Sequence, residues 1–371
     1  MDTSSSFDPQ PVPPPPPAAQ PVTTRMLAQR CGYGQSTVSM ALRNDPRIPE
    51  QTRELILGVA RQMGYQPDPH FARMMSQVKR RQVNRHAQTL AYVILWNQAE
   101  DHFLYRTYRE YREGAATRAA EFGYALEDFV VNDHGITPRR LSAILRTRVI
   151  PGMLVAPVAV PDITAGLHGL HIELPCGEVA ISTIGYTLDS PEVNRAMHDH
   201  ALGTERTVEE LRKLGFRRIG FVCSRASHVR VKGRWLAGYL LEQEELPLGE
   251  RLRALIIDEI NNPVAFDEWL QRERPEVIVA AEINEVRRHL VRLDLRVPDD
   301  ISLAHLDING DAPDYAGIIQ RNVAIGAAAF DLLLAQILRN ERGIPPIRKS
   351  VMIDGWWQDG PTLRVLGRNP T

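Results

Sequence analysis

Three cysteines in 371 residues, Cys31, Cys176 and Cys223, form no C-x-x-C pair and lie too far apart for a disulfide framework or a thiolate zinc site. Long apolar runs are missing too. No stretch approaches the roughly 20 residues that span a bilayer. The N-terminus lacks the basic-then-apolar order of a secretory signal. The expectation is a cytoplasmic chain in a reducing compartment. Signatures of catalysis are also absent: there is no G-x-S-x-G, H-E-x-x-H or Walker loop. Gly32-Tyr33-Gly34 follows a helical pattern instead of a strand and has Thr37 where a dinucleotide loop needs its third glycine. His198-Asp199-His200 has no third ligand at metal spacing, so a structural role is expected. Neither an enzyme nor a metal or cofactor is expected.

What is present is a charge asymmetry. Eleven basic residues and four acids fall between positions 23 and 85, a surplus of seven; with a net charge of −1, the remainder carries eight net negative charges. A basic module joined to a mildly acidic body suits a nucleic-acid binder with a non-binding partner domain.

Residues 1–21 are proline-rich, with Pro13 to Pro17 unbroken, and are expected to be a disordered or polyproline tail. The stretch from Thr23 to Tyr65 reads as three helices. The first runs from about Thr24 to Arg30, with Thr23 as N-cap and Gly32 at the turn. The second runs from Gln35 to Leu42 and buries Val38 with Leu42 or Ala41. The third, from Pro49 to Met63, is expected to turn Leu55, Ile56, Val59, Ala60 and Met63 inward. Two short helices around a glycine turn, followed by a third, fit the DNA-binding helix-turn-helix. Residues 67–88 read as a linker with one or two helical turns from Phe71 to Gln77.

From Leu90 strands and helices alternate: LAYVILW, then YRTYREYREGAATRAAEFGY, ALEDFVV, TPRRLSAILRTR, GMLVAPV, and onward to ISLAHLD. Such alternation implies doubly wound parallel sheets, and about 280 residues of it imply two halves with a ligand cleft between them.

The order and spacing of certain segments resemble the lactose-repressor (LacI/GalR) family of transcription factors over most of residues 22–368. They are Leu27-Ala28 through Cys31-Gly32, Thr37-Val38-Ser39, Ile48-Pro49 through Thr52-Arg53 and Gly64-Tyr65-Gln66-Pro67. Weaker matches are Leu214 to Gly220, Val297 to Ser302, and Asp307. The resemblance implies an all-α helix-turn-helix DNA-binding domain plus an α/β two-lobed, periplasmic-binding-protein-like core. Expected boundaries are 22–66 for the DNA-binding domain, 67–88 for the hinge and 89–368 for the core. Lobe one would span 89–193 plus 322–349, and lobe two 194–321 plus 350–368. It puts Gln35, Ser36 and Met40 where the family reads base edges, and Thr37, Ser39, Arg43, Arg47 and Thr52 at phosphate or groove-edge positions. Gln35 can bond adenine bidentately and Ser36 several bases, whereas Met40 donates no hydrogen bond. Met74 falls where the family wedges a leucine into the minor groove. Trp96, Asp199, Arg234, Asn284 and Asp307 fall at or near effector-binding positions. Where many relatives carry an arginine just after the position of Gly203, this chain has Glu205. The implied function is an effector-controlled, sequence-specific regulator, a repressor, acting as a homodimer on a near-palindromic operator. A sugar receptor with an accessory basic module, or an enzyme fused to a DNA-binding domain, are the alternatives.

Overall fold

The computed structural model describes residues 22–42, 44–65, 87–95, 106–131, 136–157, 170–171, 174–175, 177, 179–258, 260, 262–308 and 314–364. The proline-rich tail, Arg43, the hinge with Met74, Trp96 and Cys176 lie outside the described residues. The chain divides into two compact units, residues 1–77 and 78–371, and the division falls inside the expected hinge.

The first unit contains α1 (Thr24–Cys31), α2 (Gln35–Leu42) and α3 (Glu50–Gln62). The Thr23 hydroxyl accepts from the Met26 N–H at 3.3 Å and caps α1. Gly32 ends the helix at φ 72°, a left-handed conformation open to glycine at little cost. Leu27, Val38, Ala41 and Ile56 are fully buried and form the small core with Ala28, Ile48 and Ala60. Leu55 departs from expectation: it is 49% exposed. Ile56 and Ala60, four residues apart, already supply the inward stripe of α3, and Leu55 falls off it. Pro49 is the N-cap of α3, with an extended ψ of 144°, and not its first helical residue.

In the second unit the order is β1 (Gln88–Ile94), α4 (Arg106–Glu121), β2 (Tyr124–Val130), α5 (Pro138–Thr147), β3 (Gly152–Val155), β4 (Leu170–His171), β5 (Ala180–Ile184), β6 (Leu188–Ser190) and β7 (Asn194–His198). Then come α6 (His200–Lys213), β8 (Ile219–Ser224), α7 (Arg225–Arg230), α8 (Arg234–Glu244), β9 (Leu255–Ile257), α9 (Pro263–Glu273), β10 (Val277–Ala280), α10 (Ile283–Arg292), β11 (Ser302–His305) and β12 (Ala316–Ile319). The chain closes with α11 (Asn322–Arg339), β13 (Ser350–Ile353) and β14 (Trp356–Gln358).

Two six-stranded sheets result, in the orders β13-β7-β5-β3-β1-β2 and β14-β12-β11-β10-β8-β9. Both are parallel except that β14 runs antiparallel to β12. Alternation along a strand splits its residues between two cores. In β1, Leu90, Tyr92 and Ile94 pack toward α4 and α11, while Ala91 and Val93 pack toward α5. In β8, Ile219, Phe221 and Cys223 face the core with Trp235 and Tyr239, and Val222 faces Phe266 and Trp269. By length and composition α11 could cross a bilayer. Its Ile325, Ala329, Phe330 and Leu333 are instead fully buried against the first sheet, which accounts for its apolarity.

The expected lobe boundaries at 194 and 350 fall too early. β7 and β13 both belong to the first sheet and pair with each other in parallel, Ser350 with Arg195 through Ile353 with His198. The sequence NRAMH does not read as a buried strand because three of its five residues are polar. All five are nonetheless buried, with the Asn194 side chain accepting from the Lys349 N–H and Arg195 donating to the Leu188 carbonyl. The chain therefore crosses between lobes at Asp199, at Gln320-Arg321 and at Asp354-Gly355.

Candidate DNA-reading surface and ligand cleft

In the helical unit, Gln35 and Ser36 are exposed on the first turn of α2, and Ser39 and Met40 lie one turn on. Residues i and i+4 share a helix face, so the four make one surface strip. Gln35 donates from Nε2 to the Thr24 hydroxyl at 3.2 Å, tying the start of α2 to the start of α1. Met40 is half-buried and packs against the core of the unit, so only part of its thioether side chain faces outward. Thr37, Ser39 and Thr52 are half-buried. Arg47 is exposed but engaged: Nε and Nη2 donate to the two oxygens of Asp45 at 2.9 and 2.7 Å, and the pair raises the guanidinium pKa.

In the two-lobed unit, a cavity opens at the carboxyl ends of the parallel strands. Pro157 follows β3, and Gly185, Tyr186 and Thr187 follow β5; Tyr108 and Tyr111 reach in from the first turns of α4. The second lobe contributes His200 at the start of α6, and Arg230 and Val231 at the end of α7. This is where open α/β sheets hold ligands, because loops and helix starts converge there.

Rings stack across the cleft floor. His200 lies edge-on to Tyr186, His198 and Trp235, with centroids 5.6, 4.9 and 4.9 Å away. Burial drives the His200 pKa well below its ordinary value, and its Nδ1 lies 2.9 Å from the His198 carbonyl. The Arg230 guanidinium sits 5.4 Å from the Trp235 ring. Burial opposes its charge, but Tyr108, Asp307, Tyr111 and Glu282 outweigh that and raise its pKa. Lys232 forms an ion pair with Asp189, joining the second lobe to the first beside the cleft.

The expected effector residues are placed unequally. Asp307 follows β11, and its Oδ1 is buried without a hydrogen-bond partner among the described residues. Burial raises its carboxyl pKa, and Arg230 works against that rise. Arg234 is exposed at the start of α8, its guanidinium 5.8 Å from the Tyr186 ring. Asp199 caps α6 by accepting from the Leu202 N–H at 3.2 Å, a structural task. Asn284 is exposed and accepts from the Tyr315 hydroxyl at 3.0 Å. Trp96 is outside the described residues.

Sequence reasoning missed Tyr108, Tyr111, Tyr186 and Arg230. Their signal was position: Tyr186 directly follows the strand read in EVAISTIG. Arg230 lies in RASHVR, a short helix after the next lobe's first strand that went unread. Among the described residues no group of three or more His, Cys, Asp or Glu side chains could hold a metal ion.

A helix-turn-helix unit and a two-lobed parallel α/β unit with a cleft at its strand ends, in one chain, define a DNA-binding transcriptional regulator. Residues 27–68 match the bacterial regulatory proteins of the lacI family, and residues 208–354 match the periplasmic binding protein-like domain. Residues 27–68 thus carry the helix-turn-helix domain of the lacI family of bacterial regulatory proteins, and residues 208–354 a periplasmic binding protein-like domain. No curated protein matches the sequence. Among solved structures it is similar to the transcriptional regulator CelR in complex with cellobiose, at 20% identity and TM-score 0.54 over 92% of this chain and 99% of that one. It is also similar to the lac repressor dimer bound to operator and the anti-inducer ONPF, at 17% identity and TM-score 0.53 over 92% and 99%. A transcription regulator-like protein from Staphylococcus haemolyticus aligns at 14% identity and TM-score 0.54 over 76% and 100%. Identities this low speak for the shared fold.

Proposed function

We propose that this regulator is a cytoplasmic repressor that binds a near-palindromic operator as a homodimer and releases or tightens its grip when a small molecule enters the cleft. The cleft carries the reading: it lies at the strand ends between two lobes joined by three short crossings, and polar groups converge on it. A ligand that favours one closure of the lobes shifts DNA affinity by its differential affinity for the two states. The lac repressor dimer on its operator and CelR with cellobiose are the precedents for dimer, operator and sugar effector.

In this reading Gln35, Ser36 and Met40 face base edges. Thr37, Ser39, Arg43, Arg47 and Thr52 meet phosphates or groove edges, and Met74 wedges into the minor groove. Tyr108, Tyr111, Tyr186, Arg230 and Asp307 line or border the effector site, with Arg234 at its rim. The chain performs no catalysis of its own.

Selection from randomised duplexes with the full-length protein tests this. Enrichment of an inverted repeat, with affinity changed by a cleft ligand and unchanged by that ligand in a Tyr186→Ala variant, is the expected result. Failure to enrich any repeat at moderate salt, with and without candidate metabolites, would sink it.

A further inference from the structure

The identity of the effector is legible in how the arginines of the core are satisfied. Arg195 donates to the Leu188 carbonyl, Arg218 to the Arg274 and Gly249 carbonyls, and Arg206 to Asp354 and the Gly355 carbonyl. Lys232, two residues from Arg230, is neutralised by Asp189. Arg230 lines the cavity and has neither a hydrogen bond nor an ion pair among the described residues. Trp235 underlies its guanidinium and steadies its orientation without cancelling its charge. A cation in the last turn of α7 gains a little from the helix dipole, but an exposed arginine would gain that as well. Asp307 and Glu282 favour its charge from a distance but leave its N–H donors without an acceptor among the described residues, so they are open to an anionic ligand.

A second group lies near Arg230. Asp307 Oδ1 is buried without a partner and is close enough to Arg230 for each to influence the other's charge, yet the two form no ion pair. An unpaired guanidinium in the cleft wall and an unpaired carboxylate oxygen within its electrostatic reach suit a molecule that accepts from one and donates to the other. Tyrosine rings at Tyr108, Tyr111 and Tyr186 provide apolar faces with polar edges, the usual surround of a sugar-like ring.

We infer that the effector is a small polyhydroxylated anion, with a carboxylate or phosphate held by Arg230 and a hydroxyl donating to Asp307. The inference rests on the cleft being the effector site. Carboxylate and phosphate both match the guanidinium fork and are separate arms of the test.

The test is calorimetric titration and thermal shift of the full-length chain with three probes in each of the gluco, galacto and manno series: the neutral hexose, the hexonate and the hexose 6-phosphate. At least one acid should bind tenfold or more tighter than its neutral parent. Arg230→Gln should erase that preference, weakening the acid tenfold or more and the neutral sugar little. Arg230→Lys, which keeps the charge, should retain part of it and covers the case that the glutamine variant fails to fold. Hexonate and phosphate arms then tell which anion the site takes. A neutral sugar binding as tightly as its acids, no binding by any acid, or acid binding indifferent to Arg230→Gln overturns the inference. Those outcomes leave the cleft itself standing wherever Tyr186→Ala and Asp307→Asn weaken a bound neutral sugar. Ligand binding that survives both of these substitutions refutes the cleft as the site.

Discussion

His198 and Ile353 hold two of the three lobe crossings together. His198 Nδ1 lies 2.9 Å from the Ile353 carbonyl oxygen, which also accepts from the Asp199 backbone N–H at 3.1 Å. The carbonyl requires a proton on Nδ1, so the buried Nε2 is the unprotonated nitrogen, and it has no partner among the described residues. Arg206 braces the same place by donating to the Gly355 carbonyl at 2.7 Å and to Asp354 at 3.0 Å. The hinge of the core is thus a hydrogen-bonded knot with one imidazole at its centre.

Acid should loosen that knot. Burial pushes the His198 pKa down to about 4 from an ordinary 6.5, and His200 moves the same way. Above pH 6.5 both folded and unfolded chains carry neutral imidazoles and the shift has no effect. As pH falls through 6.5 the unfolded chain takes up the proton first, so stability declines down to about pH 4. The shift corresponds to about 3 kcal/mol for His198. Urea unfolding between pH 7.5 and 4.5 should therefore give a midpoint that falls with pH, and His198→Asn should flatten the slope. An equal slope in the two proteins would refute the assignment.

Where α4 crosses α11, two glycines let the backbones touch. A Cβ on Gly326 would stand 1.9 Å from the Tyr111 carbonyl oxygen, and one on Gly114 would stand 1.9 Å from that of Val323. Alanine would gain about 1 kcal/mol in helix propensity. The clash is with backbone, which yields little, so overpacking decides the sign. Gly326→Ala should destabilise the core by about 2 kcal/mol or more, read as a lowered unfolding midpoint. A midpoint raised by the substitution would show that the helices can separate without loss.

Gln35 is exposed at the head of α2, and its one described bond, to Thr24, is also exposed. Gln35→Ala should leave folding almost untouched while weakening the selected operator by about 1–3 kcal/mol, with preference relaxed at one base position in each half-site. Equal loss on random duplex DNA would mean that Gln35 does not read a base.

Asp45 occupies the Arg47 guanidinium and also accepts from the Arg47 backbone N–H at 3.0 Å. Asp45→Asn keeps a carbonyl for the backbone bond and removes the charge that ties down the arginine. DNA affinity should rise, and the slope of log affinity against log salt should steepen by about one charge. An unchanged slope would place Arg47 away from the phosphates.

Much of this was readable in advance. Thr23, Gly32 and Pro49 mark helix ends by local chemistry that needs no distant partner, and the bounds of α1 and α3 came within a residue or so. Strands such as LAYVILW and RIGFV announced themselves because central parallel strands are apolar on both faces. β7 did not, since Asn194, Arg195 and His198 owe their burial to partners at Lys349, Leu188 and Ile353, 155 positions away for two of the three. Asp199 caps a helix and Asn284 accepts from Tyr315, tasks that a linear reading does not show.

By itself the sequence determined the kind of molecule. Capping residues, a glycine turn, a local surplus of basic side chains and strand–helix periodicity all act over a few residues, so they survive in a linear reading. Tertiary structure decided where the lobes divide and which side chains share the cleft. Tyr108, Tyr186 and Arg230 come from three separate segments, and only the winding of two parallel sheets brings their strand ends to one cavity. Whether a guanidinium finds an acceptor within the fold is a fact about distance in space. It is the one by which Arg230 differs from Arg195, Arg206 and Arg218.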